Sequence, residues 1–399
     1  MPCVSFFYAW YCCMKELLNI SAALQDLDDQ PCALATVIEV EGSSYRRPGA
    51  RMLLSPDGRS WGMISGGCLE HDVMDHARRT LESGHARTVR YDSTSADDIV
   101  FGTGLGCNGV INVFIEPVTR LFRRLFIRAV DSCNRTRECG GIATLMNRES
   151  GVVRSWEHAF LSRCGNWIGG GPSLRELDSV FTGINGEPDG EAFTAELSGG
   201  TVFIQPLLPP IHLVIFGGWL DVVPLIHIAK ELGFCVTVVD ARQGASSPAL
   251  FREADSVLRC SPAEAVTRLK FDHRTAVVLM AHHFERDQEA LGALARTNPF
   301  YIGMLGPKRR QEKILAALDA RNVVFADGFA GKLCGPAGLD LGATSPETIA
   351  LAILAEIQAK HTGRSGGMLN GRTSRIEADT TPHTMNLEEA VPSPVGGPA

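Results

Sequence analysis

The sequence predicts an α/β protein in two domains: an α+β domain, then an open parallel sheet layered with helices. Three observations predict it. From His212 onward, apolar β-branched runs alternate with helical segments, the pattern of repeated strand–helix–strand units. Before that point, strand-like runs alternate with short turns and only a few helical stretches. Pro209-Pro210 separates the two patterns. At 399 residues the chain has room for two or three domains, each with its own core. The expected division is 14–210 and 211–360, with an atypical extension over 1–13 and a disordered tail over 361–399.

Each element follows from local pattern. Lys15 to Leu27 has Leu17, Leu18, Ala22 and Leu24 near one helical face. Cys32 to Val40 is an apolar run that reads as a buried strand. Met52–Ser55 and Trp61–Ile64 form a hairpin around Pro56-Asp57-Gly58. Leu69, Val73, Ala77 and Leu81 carry helical spacing, and Val110–Ile115 is a further buried strand. From Arg120 to Pro210 the pattern breaks into a helical start and short glycine-interrupted pieces, ending in the strand Thr201–Ile204. The second domain opens with strand 212–216, helix 222–232 and strand 235–240, a Rossmann-like unit. Alternation continues through strand 276–280, helix 309–318 and strand 323–325. Ser345-Pro346-Glu347 starts the last helix: an N-cap hydroxyl, a proline in the first turn, a carboxylate facing the helix dipole. After it, Gly, Ser, Thr, Pro and charges with few large apolar residues predict disorder.

Composition excludes some function classes. A net charge of −7 and the lack of a long basic run argue against nucleic-acid binding. Twelve cysteines are scattered without zinc-ligand spacing, which predicts free thiols in a reducing, cytoplasmic setting. Residues 1–13 are apolar but too short to span a bilayer, and they lack signal-peptide features, so Met14 offers an alternative start. No membrane association is expected, and a homodimer is the commonest assembly for such a protein.

The chemistry concentrates in glycine-framed loops. Gly66-Gly67-Cys68-Leu69-Glu70 sets an approachable sulfur beside a helix start, which favours thiolate or phosphate. Thirty-nine residues on, Gly104-Leu105-Gly106-Cys107-Asn108-Gly109 sets a second thiol before a strand. If the loops converge, they form one pocket of two thiols and many backbone donors; spacing alone leaves incidental packing cysteines open. A third site is the turn Gly217-Gly218-Trp219-Leu220-Asp221-Val222, with Asp240 placed where an acid meets ribose hydroxyls. Trp219 stands where the dinucleotide fingerprint needs glycine, so the fold is supported and NAD(P) binding is not expected. His282 follows the strand 276–280, at a strand end that suits a ligand site or a local cap equally. No triphosphate P-loop, serine-hydrolase elbow or zinc-protease helix is present.

Together these residues resemble the XdhC/CoxI family of xanthine dehydrogenase accessory proteins. The likeness covers roughly 14–118 and 211–360. Its ordered blocks are Gly42–Gly49, Gly66–Glu70, Gly104–Gly109, Gly233–Arg242, Tyr301–Gly306 and Gly338–Gly342. The resemblance implies a maturation factor rather than a catalyst. It would bind the molybdenum cofactor and deliver it to a molybdenum hydroxylase apoenzyme, with a cysteine desulfurase as a further partner. It carries over Gly66, Gly67, Cys68, Gly104, Gly106, Cys107 and His282 as cofactor-binding, with Cys68 and Cys107 at the metal. Soft thiolates suit such a centre, and loop N–H groups suit the cofactor's phosphate. The chain departs from the family at Trp219 (often glycine), at Ala281 and His283 (often Thr and Asn around the histidine) and at Cys334 (often histidine). Two alternatives stay open: an NAD(P)-dependent oxidoreductase using the second domain, and a redox enzyme cycling a Cys68–Cys107 disulfide.

Overall fold

The computed structural model describes residues 14–93, 109–149, 152–162, 167–169, 192–197, 200–242 and 248–371. They form two units, 14–209 and 210–371.

In the first unit, helix α1 (Met14–Asp26) leads into strands β1 (Ala33–Gly42), β2 (Arg51–Leu54) and β3 (Ser60–Gly62). Helix α2 (Glu70–Ser83), strands β4 (Arg87–Asp92) and β5 (Gly109–Pro117) and helix α3 (Arg120–Thr136) follow. The five strands form an antiparallel sheet in the order β3-β2-β1-β5-β4. Alternation along β1 sets the layers. Ala33, Ala35 and Val37 face Leu69, Val73 and Ala77 at α2, whereas Leu34 faces Leu17, Leu24, Phe122 and Phe126 of α1 and α3.

A second antiparallel sheet follows, ordered β8-β7-β6-β10-β9. Its strands are β6 (Gly140–Glu149), β7 (Val152–Ser162), β8 (Trp167–Gly169), β9 (Phe193–Leu197) and β10 (Gly200–Leu207). Sequence pattern found only the last of these. Ile38 and Phe114 of the first sheet pack against Met146, Val153 and Phe203 of the second.

The second unit is a six-stranded, all-parallel sheet. Its strands are β11 (His212–Phe216), β12 (Cys235–Val239), β13 (Ser256–Leu258), β14 (Thr275–Leu279), β15 (Tyr301–Met304) and β16 (Leu333–Cys334). The order β13-β12-β11-β14-β15-β16 is that of dinucleotide-binding Rossmann folds. The helices are α4 (Val222–Glu231), α5 (Pro262–Arg268), α6 (Phe284–Ala293), α7 (Lys308–Asp319), α8 (Phe329–Lys332) and α9 (Pro346–His361). Leu213, Ile215, Val236 and Val278 pack on α4 and α9, while Val214, Val277, Leu279 and Ile302 pack on α5, α6 and α7. Burial on both faces explains why these strands read as continuous apolar runs.

One expectation is corrected. Residues 323–325 are not a strand: Val324 is exposed, and Phe325 stacks on Phe329 with ring centroids 4.6 Å apart. The sheet edge is instead the two-residue β16, paired with Ile302 and Gly303. The expected disordered tail spans 361–399. Residues 361–371 take defined turns, with Arg364 N–H bonded to the Ala359 carbonyl, and 372–399 lie outside the described residues. Residues 1–13 lie outside them as well.

Candidate functional site

One edge of the first sheet gathers the glycine loops. The registers Gly42↔Gly109, Asp92↔Val110 and Met52↔Gly62 place the ends of β1, β3 and β4 and the starts of β2 and β5 at that edge. Loops 43–50 and 63–69 therefore leave from the same side as Asp92 and Gly109. Gly109 lies so close to the chain opposite that a methyl group there would sit 2.8 Å from the Glu41 carbonyl oxygen and press on the Ser43 carbonyl. Further along loop 43–50, the exposed Tyr45 ring lies against Gly66, 3.8 Å from where a side chain would start. This loop thus runs between Gly109 and the Cys68 loop. Cys107, Gly104 and Gly106 lie outside the described residues.

The Cys68 loop is held by Glu70, the last residue of its sequence motif, and by Ser65, which the sequence reading missed. The buried Ser65 hydroxyl accepts the N–H groups of Gly67 (3.3 Å) and Leu69 (3.1 Å). It donates to one Glu70 oxygen, while the Ser65 N–H donates to the other at 2.8 Å. Burial opposes ionisation of Glu70, yet the Ser65 hydroxyl and amide together hold its carboxyl below the usual range. Gly67 takes φ +111°, which an L-residue resists, so the turn requires glycine there. Cys68 emerges from this ring as an exposed free thiol, just ahead of Leu69 at the start of α2. The helix start is less open than expected, because Ser65 and Glu70 already take part of it. A serine five residues before a glutamate, across two glycines, was the legible signal.

The second unit places His282 at the point where strand order reverses, between the carboxyl ends of β11 and β14. His282 has φ +55°, an uncommon conformation for a non-glycine residue. Its Nε2 lies 2.6 Å from Asp221 Oδ2, just before α4, a partner the sequence reading did not select. Asp221 Oδ1 is buried without a hydrogen-bond partner. The turn is fixed from below by Asp287, which accepts Ala281 N–H at 3.1 Å and pairs with Arg310 at 2.5 Å. Burial still pushes the Asp287 carboxyl above its usual range. His283 turns instead to Glu285, at 2.9 Å, so the two histidines diverge.

The ribose acid expected of a dinucleotide site is occupied by this chain itself. Arg242 donates to Asp240 Oδ1 through Nε at 2.9 Å and to Oδ2 through Nη2 at 3.0 Å. It also donates to the Gly218 carbonyl, and it lies over the Trp219 ring, 4.5 Å from its centroid. Asp240 therefore offers no open carboxylate to a ribose, which counts against the oxidoreductase reading. Among the described residues no cluster of three or more His, Cys, Asp or Glu could hold a metal ion, and no helix is long and apolar enough to cross a membrane.

Known proteins match this architecture. Residues 213–357 match the XdhC Rossmann domain, and residues 27–92 match the XdhC and CoxI family. A relative from Bacillus subtilis (strain 168), named as a probable xanthine dehydrogenase subunit, is 31% identical over 83% of this chain and 93% of its own. The molybdenum cofactor insertion chaperone PaoD of Escherichia coli (strain K12) is 24% identical over 81% of each chain. A crystal structure described as a xanthine dehydrogenase from Bacillus halodurans superposes with a TM-score of 0.71 at 32% identity, covering 90% of this chain and 98% of that one. The sheet topology, the glycine-loop edge and these matches agree: the chain belongs to the XdhC and CoxI family.

Proposed function

We propose that this protein is a maturation chaperone that binds a molybdenum–pterin cofactor as cargo and delivers it to a xanthine dehydrogenase-type apoenzyme. The carrying observation is Cys68: an exposed free thiol in a glycine loop closed by Ser65 and Glu70. The names of two relatives, a cofactor insertion chaperone and a probable xanthine dehydrogenase subunit, support the same reading.

The donor set fits a carrier. A resident metal centre is enclosed by several protein ligands. Here the loop offers one defined thiol, and the described residues hold no multi-ligand cluster. The dithiolene of the cargo supplies its own sulfur ligands, so one or two cysteine contacts leave it free to depart. Cys107 is the second thiol of this proposal. Its strand anchor, Gly109, stands at the edge that carries loop 63–69. In the second unit, considered by itself, the proposal keeps His282, held by Asp221, as a cofactor-binding residue carried over from the family. A cysteine desulfurase that sulfurates the cargo and a homodimeric assembly complete the proposal.

Transfer tests it. Protein loaded anaerobically with molybdenum cofactor is mixed with a purified xanthine dehydrogenase apoenzyme, and recovered hydroxylase activity is followed. Recovery above that from free cofactor, and its loss with Cys68→Ser, is expected. Equal recovery with and without the protein rejects a delivery role.

A further inference from the structure

A cleft opens at the carboxyl edge of the parallel sheet, between β11 and β12. Trp219, Asp240, Arg242, Pro262, Ala281 and Arg286 line it.

Two features show what this cleft suits. Arg286 is half-buried in the first turn of α6, and no carboxylate pairs with it among the described residues. A cation there also meets the positive end of the helix dipole, an unfavourable position unless an anion accompanies it. The acids of that turn are engaged elsewhere, Glu285 by His283 and Asp287 by Arg310. The second feature is Trp219. It is 51% exposed, and Arg242 holds its ring as a flat platform. Such a ring stacks planar heterocycles.

The same residues exclude the dinucleotide mode. A methyl group at Gly218 would lie 2.5 Å from Asp240 Oδ2 and 2.6 Å from Arg242 Nη2. The ion pair therefore fills the space where backbone meets pyrophosphate in that fold. It also takes the acceptor that would read a ribose diol.

We infer that this cleft binds a phosphomonoester carrying a planar heteroaromatic ring, with the ring on Trp219 and the phosphate on Arg286. Free mononucleotides and a phosphorylated pterin share this chemistry, and the test separates them. It is a site additional to the Cys68 loop.

The full chain is titrated by calorimetry with AMP, GMP, 6-hydroxymethylpterin phosphate, inorganic phosphate and NAD⁺. At least one ring-bearing phosphomonoester binds with millimolar or lower Kd, more tightly than phosphate and NAD⁺. Arg286→Gln and Trp219→Ala each weaken it about tenfold, as loss of a charge-assisted contact or a stacked ring requires. Both side chains are at least partly exposed, so circular dichroism of each variant should match wild type. Binding only by the nucleotides or only by the pterin identifies the source. No binding of any phosphomonoester at about 10 mM, NAD⁺ binding tighter than every phosphomonoester, or full affinity in both variants overturns the inference. These probes carry no molybdenum, so a failure here leaves the role of Cys68 untouched.

Discussion

Replacing Ser65 by alanine should open the Cys68 loop without touching the thiol. The hydroxyl accepts two loop amides, at 3.3 and 3.1 Å, and donates to a Glu70 oxygen. Losing an N-cap-like acceptor costs about 1 kcal/mol. Losing a hydrogen bond to a carboxylate adds roughly 1.5–3 kcal/mol, with the lower end apt because Glu70 is half-exposed. The expected cost is therefore about 2–3 kcal/mol, or roughly 4–12 °C in Tm for a unit of this size. Acid provides an internal check. The Glu70 carboxyl is held below its ordinary value of 4.5, so its contribution is full above that pH and is lost as pH falls through the lowered value. The difference between wild type and Ser65→Ala should therefore shrink as pH falls from 7 through that lowered value. Thermal unfolding of both proteins across that range measures it. A shift under 1 °C at pH 7, or a difference that does not vary with pH, refutes the loop-closure argument.

Three further outcomes follow from other sites. Gly109→Ala should lower stability by about 1–3 kcal/mol, because its methyl group meets backbone atoms rather than a movable side chain, as thermal unfolding would register. Asp287→Ala should cost roughly 3–5 kcal/mol by stranding Arg310 and the Ala281 N–H, with faster amide exchange expected at 281–283. Burial, with Arg274 and His273 nearby, pushes His361 down to about 4, so it favours the neutral form in the folded state. Its contribution is complete above pH 6.5 and is lost as pH falls towards 4; it amounts to roughly 2–3 kcal/mol, and His361→Asn should flatten stability over that window.

Much of the fold was legible because its signals are local. Both faces of the parallel sheet are buried, so β11, β12 and β14 announce themselves as apolar runs. The second antiparallel sheet was not legible. Its strands begin at Gly140-Gly141 or carry Asn147, Arg148 and Glu157 among their apolar residues, and partners such as Thr201 and Met146 are far apart in sequence. Residues 323–325 misled for the opposite reason: β-branched residues occur there without a neighbour to pair with, whereas Leu333–Cys334 pairs but is too short to show a period. At the sites, sequence named Cys68 and His282 from their loops. It could not name Asp221, sixty-one residues from His282, nor see that Arg242 closes over Asp240.

Anaerobic titration with molybdenum cofactor, read by bound molybdenum and pterin per chain, reaches the central claim most directly. Wild type should bind about one cofactor, and Cys68→Ser should lose at least tenfold in affinity, the effect of about 1.4 kcal/mol from one metal–thiolate contact. Cys107→Ser should weaken binding in the same direction. Undiminished binding by both serine variants would contradict a thiol-held cargo at this edge of the sheet.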